Sequence, residues 1–112
     1  MEELKIKRKV EDMMTWSYSV LRNFPKSEKH VLSAEIRQSM LRLLRDIIIV
    51  NRRYYKKTTL QDLDAELDLL RSLVSLALDL GFLPRRQYEI WSGHLAEIGK
   101  MVGGWMAWAK QG

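Results

Sequence analysis

The chain has 112 residues, of which 46% are hydrophobic and 29% are charged, a composition typical of a single folded domain. It contains no cysteine, which excludes disulfide scaffolds, thiol catalysis and cysteine-based zinc sites. Nineteen Lys and Arg against fourteen Asp and Glu give a formal charge of +5, a balance that favours acidic partners without naming one. We therefore predict one domain over residues 1–112.

The first half of the chain predicts two helices. Apolar or small residues recur from Val10 to Phe24 at alternating spacings of four and three, which indicates a helix over about residues 7–23 that ends before Pro25. A second helix is expected over about residues 28–56, with Ser27 as its N-cap and one apolar row from Leu32 to Tyr54.

The second half predicts two more helices. Residues 60–80 follow a sequence that resembles a capping box, Thr59 to Asp62, and end at Gly81, a residue preferred in left-handed C-caps. The fourth helix is expected over about residues 85–110, after Pro84. Short connections make neighbouring helices antiparallel, so the predicted fold is all-α, an up-down-up-down four-helix bundle.

Two helices carry more apolar surface than one bundle core can bury. The third helix has a second apolar row, and a smaller second row on the second helix includes Leu41 and Ile48. We expect the row on the third helix to contact other subunits of a homo-oligomer; it consists of Leu69, Leu73, Leu76 and Leu80. Gly99 and Gly103 belong to a strip of small residues on the fourth helix, which fits either a subunit contact or close packing within one chain.

The positive charge is concentrated in residues 22–57, which hold ten basic and three acidic residues. Five basic side chains of the second helix fall within an arc of about 100° opposite its core row, and a sixth extends the arc into the following turn. These candidate phosphate contacts are Arg42, Arg45, Arg52, Arg53, Lys56 and Lys57. The alternative is a solvated helix face with no partner.

No arrangement of residues in the chain points to catalysis. His30 and His94 are the only histidines, and the sequence has no phosphate-binding glycine loop and no nucleophile motif. We therefore expect no enzymatic activity, no metal site and no cofactor. The charged first ten residues and the lack of a long uncharged apolar stretch favour a cytoplasmic protein that does not associate with a membrane.

Several sequence features resemble a known family. They are Trp16, the sequence Asn-Phe-Pro-Lys-Ser at residues 23–27, Tyr88, and above all Ala-Glu-Ile-Gly-Lys-Met-Val-Gly-Gly-Trp at residues 96–105. Together they resemble the accessory variability determinant proteins of diversity-generating retroelements, which belong to a wider four-helix-bundle family that includes proteins of ribosomal RNA intervening sequences. The resemblance covers nearly all of the chain, roughly from Val10 to Trp108.

The resemblance implies a ring-like homo-oligomer, a pentamer with a strongly basic surface. It also implies a non-enzymatic partner of a reverse transcriptase that binds template RNA or an RNA–DNA hybrid and supports mutagenic copying. By this analogy the basic arc of the second helix is the nucleic-acid surface. The alternative is a protein–protein adaptor of the wider family, without a nucleic-acid role; a membrane-surface protein is a weaker third possibility.

Overall fold

The computed structural model describes residues 2–52 and 57–111, and the side chains of residues 5–52 and 57–109. Its helices are α1 (Glu2–Leu21), α2 (Leu32–Arg52), α3 (Lys57–Asp79) and α4 (Arg85–Gln111), with a short 3₁₀ turn at Lys26–Glu28 between α1 and α2. None of the described residues lies in a strand. The predicted all-α four-helix bundle is confirmed.

The four helices stand at the corners of a square. α1 packs against α2 and α4, and α3 packs against the same two helices. Each helix therefore contacts the two helices beside it around the bundle. Each helix turns one apolar row into the shared core, where Met13, Ile36, Leu67 and Trp91 are fully buried. Within the described ranges, no helix has both the length and the apolar character of a transmembrane span.

Two predicted helix caps are wrong. Ser27 does not cap α2, because it lies in the 3₁₀ turn and the helix begins only at Leu32. The Glu28 carboxylate caps α2 instead. Its Oε1 accepts a hydrogen bond of 3.3 Å from the backbone N–H of Leu32. Its negative charge is also favourable at a helix N-terminus.

The predicted capping box at Thr59 is also wrong, because Thr59 already lies within α3, whose described part starts at Lys57. Thr59 is buried inside the first turn, so its side chain packs against the bundle as part of the helix. α1 begins at Glu2 rather than near residue 7, which adds the fully buried side chain of Ile6 to the core.

The end of α3 is a Schellman motif built on Gly81. The N–H of Gly81 donates to the carbonyl of Leu78 (3.0 Å), and the N–H of Phe82 donates to the carbonyl of Ala77 (2.9 Å). Gly81 has a φ of +80°, the left-handed conformation that glycine adopts without steric cost. The predicted glycine C-cap is confirmed, and it reverses the chain toward α4.

We expect Gly81→Ala to lower the free energy of unfolding by about 1 kcal/mol, because a Cβ disfavours the left-handed conformation. Gly93→Ala is the matched control: Gly93 lies inside α4 with open space where a Cβ would project, so this change should raise the free energy of unfolding by about 0.5–1 kcal/mol. Urea denaturation of both variants measures the effects. Equal effects of the two substitutions would contradict the assignment of Gly81 as a left-handed cap.

Candidate nucleic-acid interface on α2 and α3

The structure describes four of the six residues of the predicted basic arc. Arg45 and Arg52 are exposed on α2, whereas Arg53 and Lys56 lie outside the described residues. Lys57 is also exposed, but it lines a shallow depression together with Met106 and Ala109 of α4. The structure therefore places Lys57 beside the junction of α3 and α4.

Arg42 is engaged by an acidic residue of the neighbouring helix. Its Nε donates a hydrogen bond of 2.8 Å to Oε1 of Glu66 on α3, and Ser39 Oγ donates to Oε2 of the same carboxylate at 2.8 Å. The Glu66 side chain is only 12% exposed, against 41% for Arg42. The hydrogen bond to Glu66 raises the pKa of Arg42, although partial burial opposes the shift. Arg42 therefore joins α2 to α3 instead of projecting freely toward solvent.

A second acidic residue lies within the basic arc. Asp46 of α2 is half-buried, and its burial, followed by repulsion from Glu66 and Asp62, raises the pKa of its carboxyl group; Arg45 and Arg42 oppose this shift. The α3 acids therefore offset part of the α2 charge. Sequence reasoning missed this arrangement because it judged each helix alone, although Asp62 and Glu66 were visible in the sequence.

The second apolar row of α3 remains outside the core. Leu69, Leu76 and Leu80 are 43%, 44% and 52% exposed, and Leu73 is half-buried against the core. The row begins one turn after Glu66 and follows the outer side of α3. On α2, Leu41 and Ile48 are also exposed, at 51% and 37%. The described chain therefore leaves part of each second row uncovered, whereas Leu44 and Leu73 pack against the core.

The two glycines of the small-residue strip have different environments. A Cβ at Gly99 would overlap the Arg71 guanidinium, which also pairs with Asp68 at 3.1 Å. Gly103 has no heavy atom within 4 Å of the position that a Cβ would take. The atom that a Cβ at Gly99 would meet belongs to the end of a flexible side chain that can move aside, and Gly103 faces open space, so packing within the described chain requires neither glycine.

His94 and Glu97, one turn apart on α4, both contact residues of α1. Lys9 Nζ donates to both carboxylate oxygens of Glu97 at 3.1 Å, and the His94 ring lies 5.5 Å from the Trp16 ring. In the part of the chain that the structure describes, no three His, Cys, Asp or Glu residues form a group able to hold a metal ion.

The raised pKa of Asp46 makes the free energy of unfolding depend on pH. Because the pKa of Asp46 is raised in the folded state, its ionisation lowers the free energy of unfolding as the pH rises from the ordinary Asp pKa through the raised value. We therefore expect Asp46→Asn to be more stable than the wild type at pH 7, and this advantage to vanish below about pH 4.

Urea denaturation over a pH series checks the Asp46 prediction, with Asp79→Asn as a control that removes the same charge from an exposed site at the end of α3. A less stable Asp46→Asn variant at pH 7 would mean that attraction to Arg45 and Arg42 outweighs the cost of burial.

The chain was also compared with known proteins. A family model described as bAvd-like matches residues 4–109, which is nearly the whole chain. No curated protein matches it. The family match confirms the resemblance to accessory variability determinant proteins, and it indicates an accessory, non-catalytic protein of a diversity-generating retroelement. The chain belongs to the bAvd-like family.

Proposed function

We propose that this protein is a non-enzymatic accessory protein of a diversity-generating retroelement that binds the template RNA, or an RNA–DNA hybrid, together with the reverse transcriptase. In this role it supports mutagenic reverse transcription. Its membership of the bAvd-like family and its formal charge of +5 support this proposal.

The observation that carries the nucleic-acid part of the proposal is the exposure of Arg45 and Arg52. Seven residues separate them, so they share one face of α2 about 10 Å apart along the helix axis. Guanidinium groups match phosphate oxygens bidentately, and each contact releases counterions. Both arginines are within reach of one polynucleotide strand, while Arg42 contributes its charge from within the Glu66 pair.

We expect the Arg45→Glu/Arg52→Glu variant to bind single-stranded RNA much more weakly than the wild type. Losing two phosphate contacts should also make the slope of log affinity against log salt shallower by about 1.4, because each contact on a single strand adds about 0.7. Fluorescence anisotropy between about 50 and 200 mM salt measures both effects.

The matched control for RNA binding is Arg85→Glu/Arg86→Glu, which makes the same charge change at two exposed positions at the start of α4. This control should keep a larger share of the wild-type affinity for RNA than the Arg45→Glu/Arg52→Glu variant keeps. An affinity that does not depend on salt, or equal losses in the two double variants, would contradict a phosphate-binding role for the α2 arginines.

We also propose that the protein self-associates through the exposed apolar row of α3, and that the assembly is a pentamer. The support is the exposure of Leu69, Leu76 and Leu80, since an apolar row of this length in water marks an interaction surface. The same row also supports the second candidate function, an adaptor that binds a different protein without a nucleic-acid role.

We expect Leu76→Glu/Leu80→Glu to reduce the molar mass of the particle, because charges in an apolar contact lose their hydration without gaining partners. Size-exclusion chromatography with light scattering measures this mass. Ile90→Glu, at an exposed apolar position of α4, is the control and should keep the wild-type mass. A wild type that is a monomer and does not bind RNA would favour the adaptor function.

A further inference from the structure

A second basic surface lies where α1 turns into α2, away from the predicted arc. The turn encloses an open cleft of about 230 Å³, much more than the roughly 30 Å³ that one water molecule occupies in the liquid. The lining residues come from the end of α1, the turn and the first two turns of α2: Leu21, Arg22, Phe24, Pro25, Lys26, Lys29, Ser33 and Arg37. This set is called the turn cleft below.

Half of the residues that line the turn cleft are cationic. Arg22, Lys26 and Lys29 are exposed, and Arg37 is half-buried at the side of the cleft. None of the described residues that line it is acidic. This distinguishes the turn cleft from the α2 arc, where Glu66, Asp46 and Asp62 offset the arginines.

The acid nearest in sequence to the turn cleft is used elsewhere. Glu28 and Glu35 are the two acidic residues between Arg22 and Arg37, and neither lines the cleft. The Glu28 carboxylate accepts the backbone N–H of Leu32 at the start of α2. Its negative charge therefore compensates the N-terminus of α2 and does not line the turn cleft. No described residue forms an ion pair with any of the four cations of the cleft.

Arg37 is held in place by two contacts that leave its charge intact. Its guanidinium carbon lies 5.4 Å from the centre of the Tyr18 ring, and its Nη1 donates a hydrogen bond to Ser33 Oγ. Neither partner is an anion, so the cation is positioned without being neutralised. A side chain fixed in this way loses less conformational entropy when it binds a ligand.

We infer that the turn cleft is a binding site for a phosphate group, carried by the backbone of a polynucleotide or by a small phosphate compound. Two guanidinium and two ammonium groups around one open cleft match the charge and the several acceptor oxygens of phosphate. The assignment of the backbone as the source of the phosphate rests on the proposed function; the phosphate site itself does not.

The test uses the whole chain and the variant Lys26→Gln/Lys29→Gln, which removes two exposed charges. Isothermal titration calorimetry measures binding of inorganic pyrophosphate, and fluorescence anisotropy measures binding of labelled single-stranded RNA. We expect the variant to lose at least about tenfold in pyrophosphate affinity, the loss that removing one charge-assisted hydrogen bond produces. Arg85→Gln/Arg86→Gln removes two exposed charges outside the turn cleft and should stay within about twofold of the wild type.

The two ligands separate the sources of the phosphate. A loss of affinity for both pyrophosphate and RNA, confined to the cleft variant, supports the site with the polynucleotide backbone as its ligand. A loss for pyrophosphate alone supports the site with a small phosphate compound as its ligand.

Unchanged affinity of the cleft variant for both ligands, or losses equal to those of the control, would overturn the inference. If the wild type does not bind RNA, the proposed nucleic-acid function fails, and the pyrophosphate titration alone decides the phosphate site.

Discussion

Each helix of the bundle can turn only one row of apolar side chains toward the shared core, and this constraint determines what the surface contains. In α3 the row that includes Leu67 and Leu70 is fully buried, so the row of Leu69, Leu76 and Leu80 must lie outside. Burial of apolar area contributes roughly 25 cal/mol per Å², so a long exposed row favours association with another apolar surface. The second apolar row of α3 therefore lies on the surface because the first row already occupies the side of the helix that faces the core.

Packing leaves extra apolar side chains on the surface, whereas electrostatic pairing between helices reduces the net charge there. The charge of α2 is concentrated in one arc, but α3 brings Glu66 and Asp62 next to that arc. Glu66 accepts hydrogen bonds from both Ser39 and Arg42, and it is mostly buried, so this contact fixes α3 beside the middle of α2. The same pairing reduces the positive potential there. The turn cleft, which has no acid among its described lining residues, keeps its charge.

The sequence predicted the features that depend on local chain chemistry. Apolar periodicity identified the four core rows. Gly81 was identified as a C-cap because helices commonly end in the left-handed conformation, which favours glycine. Two helix caps were predicted wrongly because several residues could serve as caps, and the choice of Glu28 over Ser27 depends on how the turn after Pro25 folds.

The candidate site was predicted less well than the fold, because its charges depend on contacts between helices. A helical wheel of α2 places Arg42 beside Arg45, but the wheel cannot show that Glu66 of α3 reaches Arg42. In the same way, Gly99 and Gly103 look equivalent in sequence, and only the position of the Arg71 side chain distinguishes them. The turn cleft joins residues of α1, the turn and α2, so no single helix pattern contains it.

Self-association and nucleic-acid binding depend on each other in the function proposed above. In the proposed function, one copy would offer Arg45, Arg52 and the turn cleft, a small number of phosphate contacts whose attraction would weaken quickly as salt rises. Copies joined through the α3 row would present these contacts repeatedly, and each contact after the first forms at a high effective concentration. Polynucleotides are long enough to reach several copies, whereas a small phosphate compound is not. An assembly would therefore strengthen binding of RNA far more than binding of pyrophosphate, so the apolar row would give selectivity for long polyanions without contacting them.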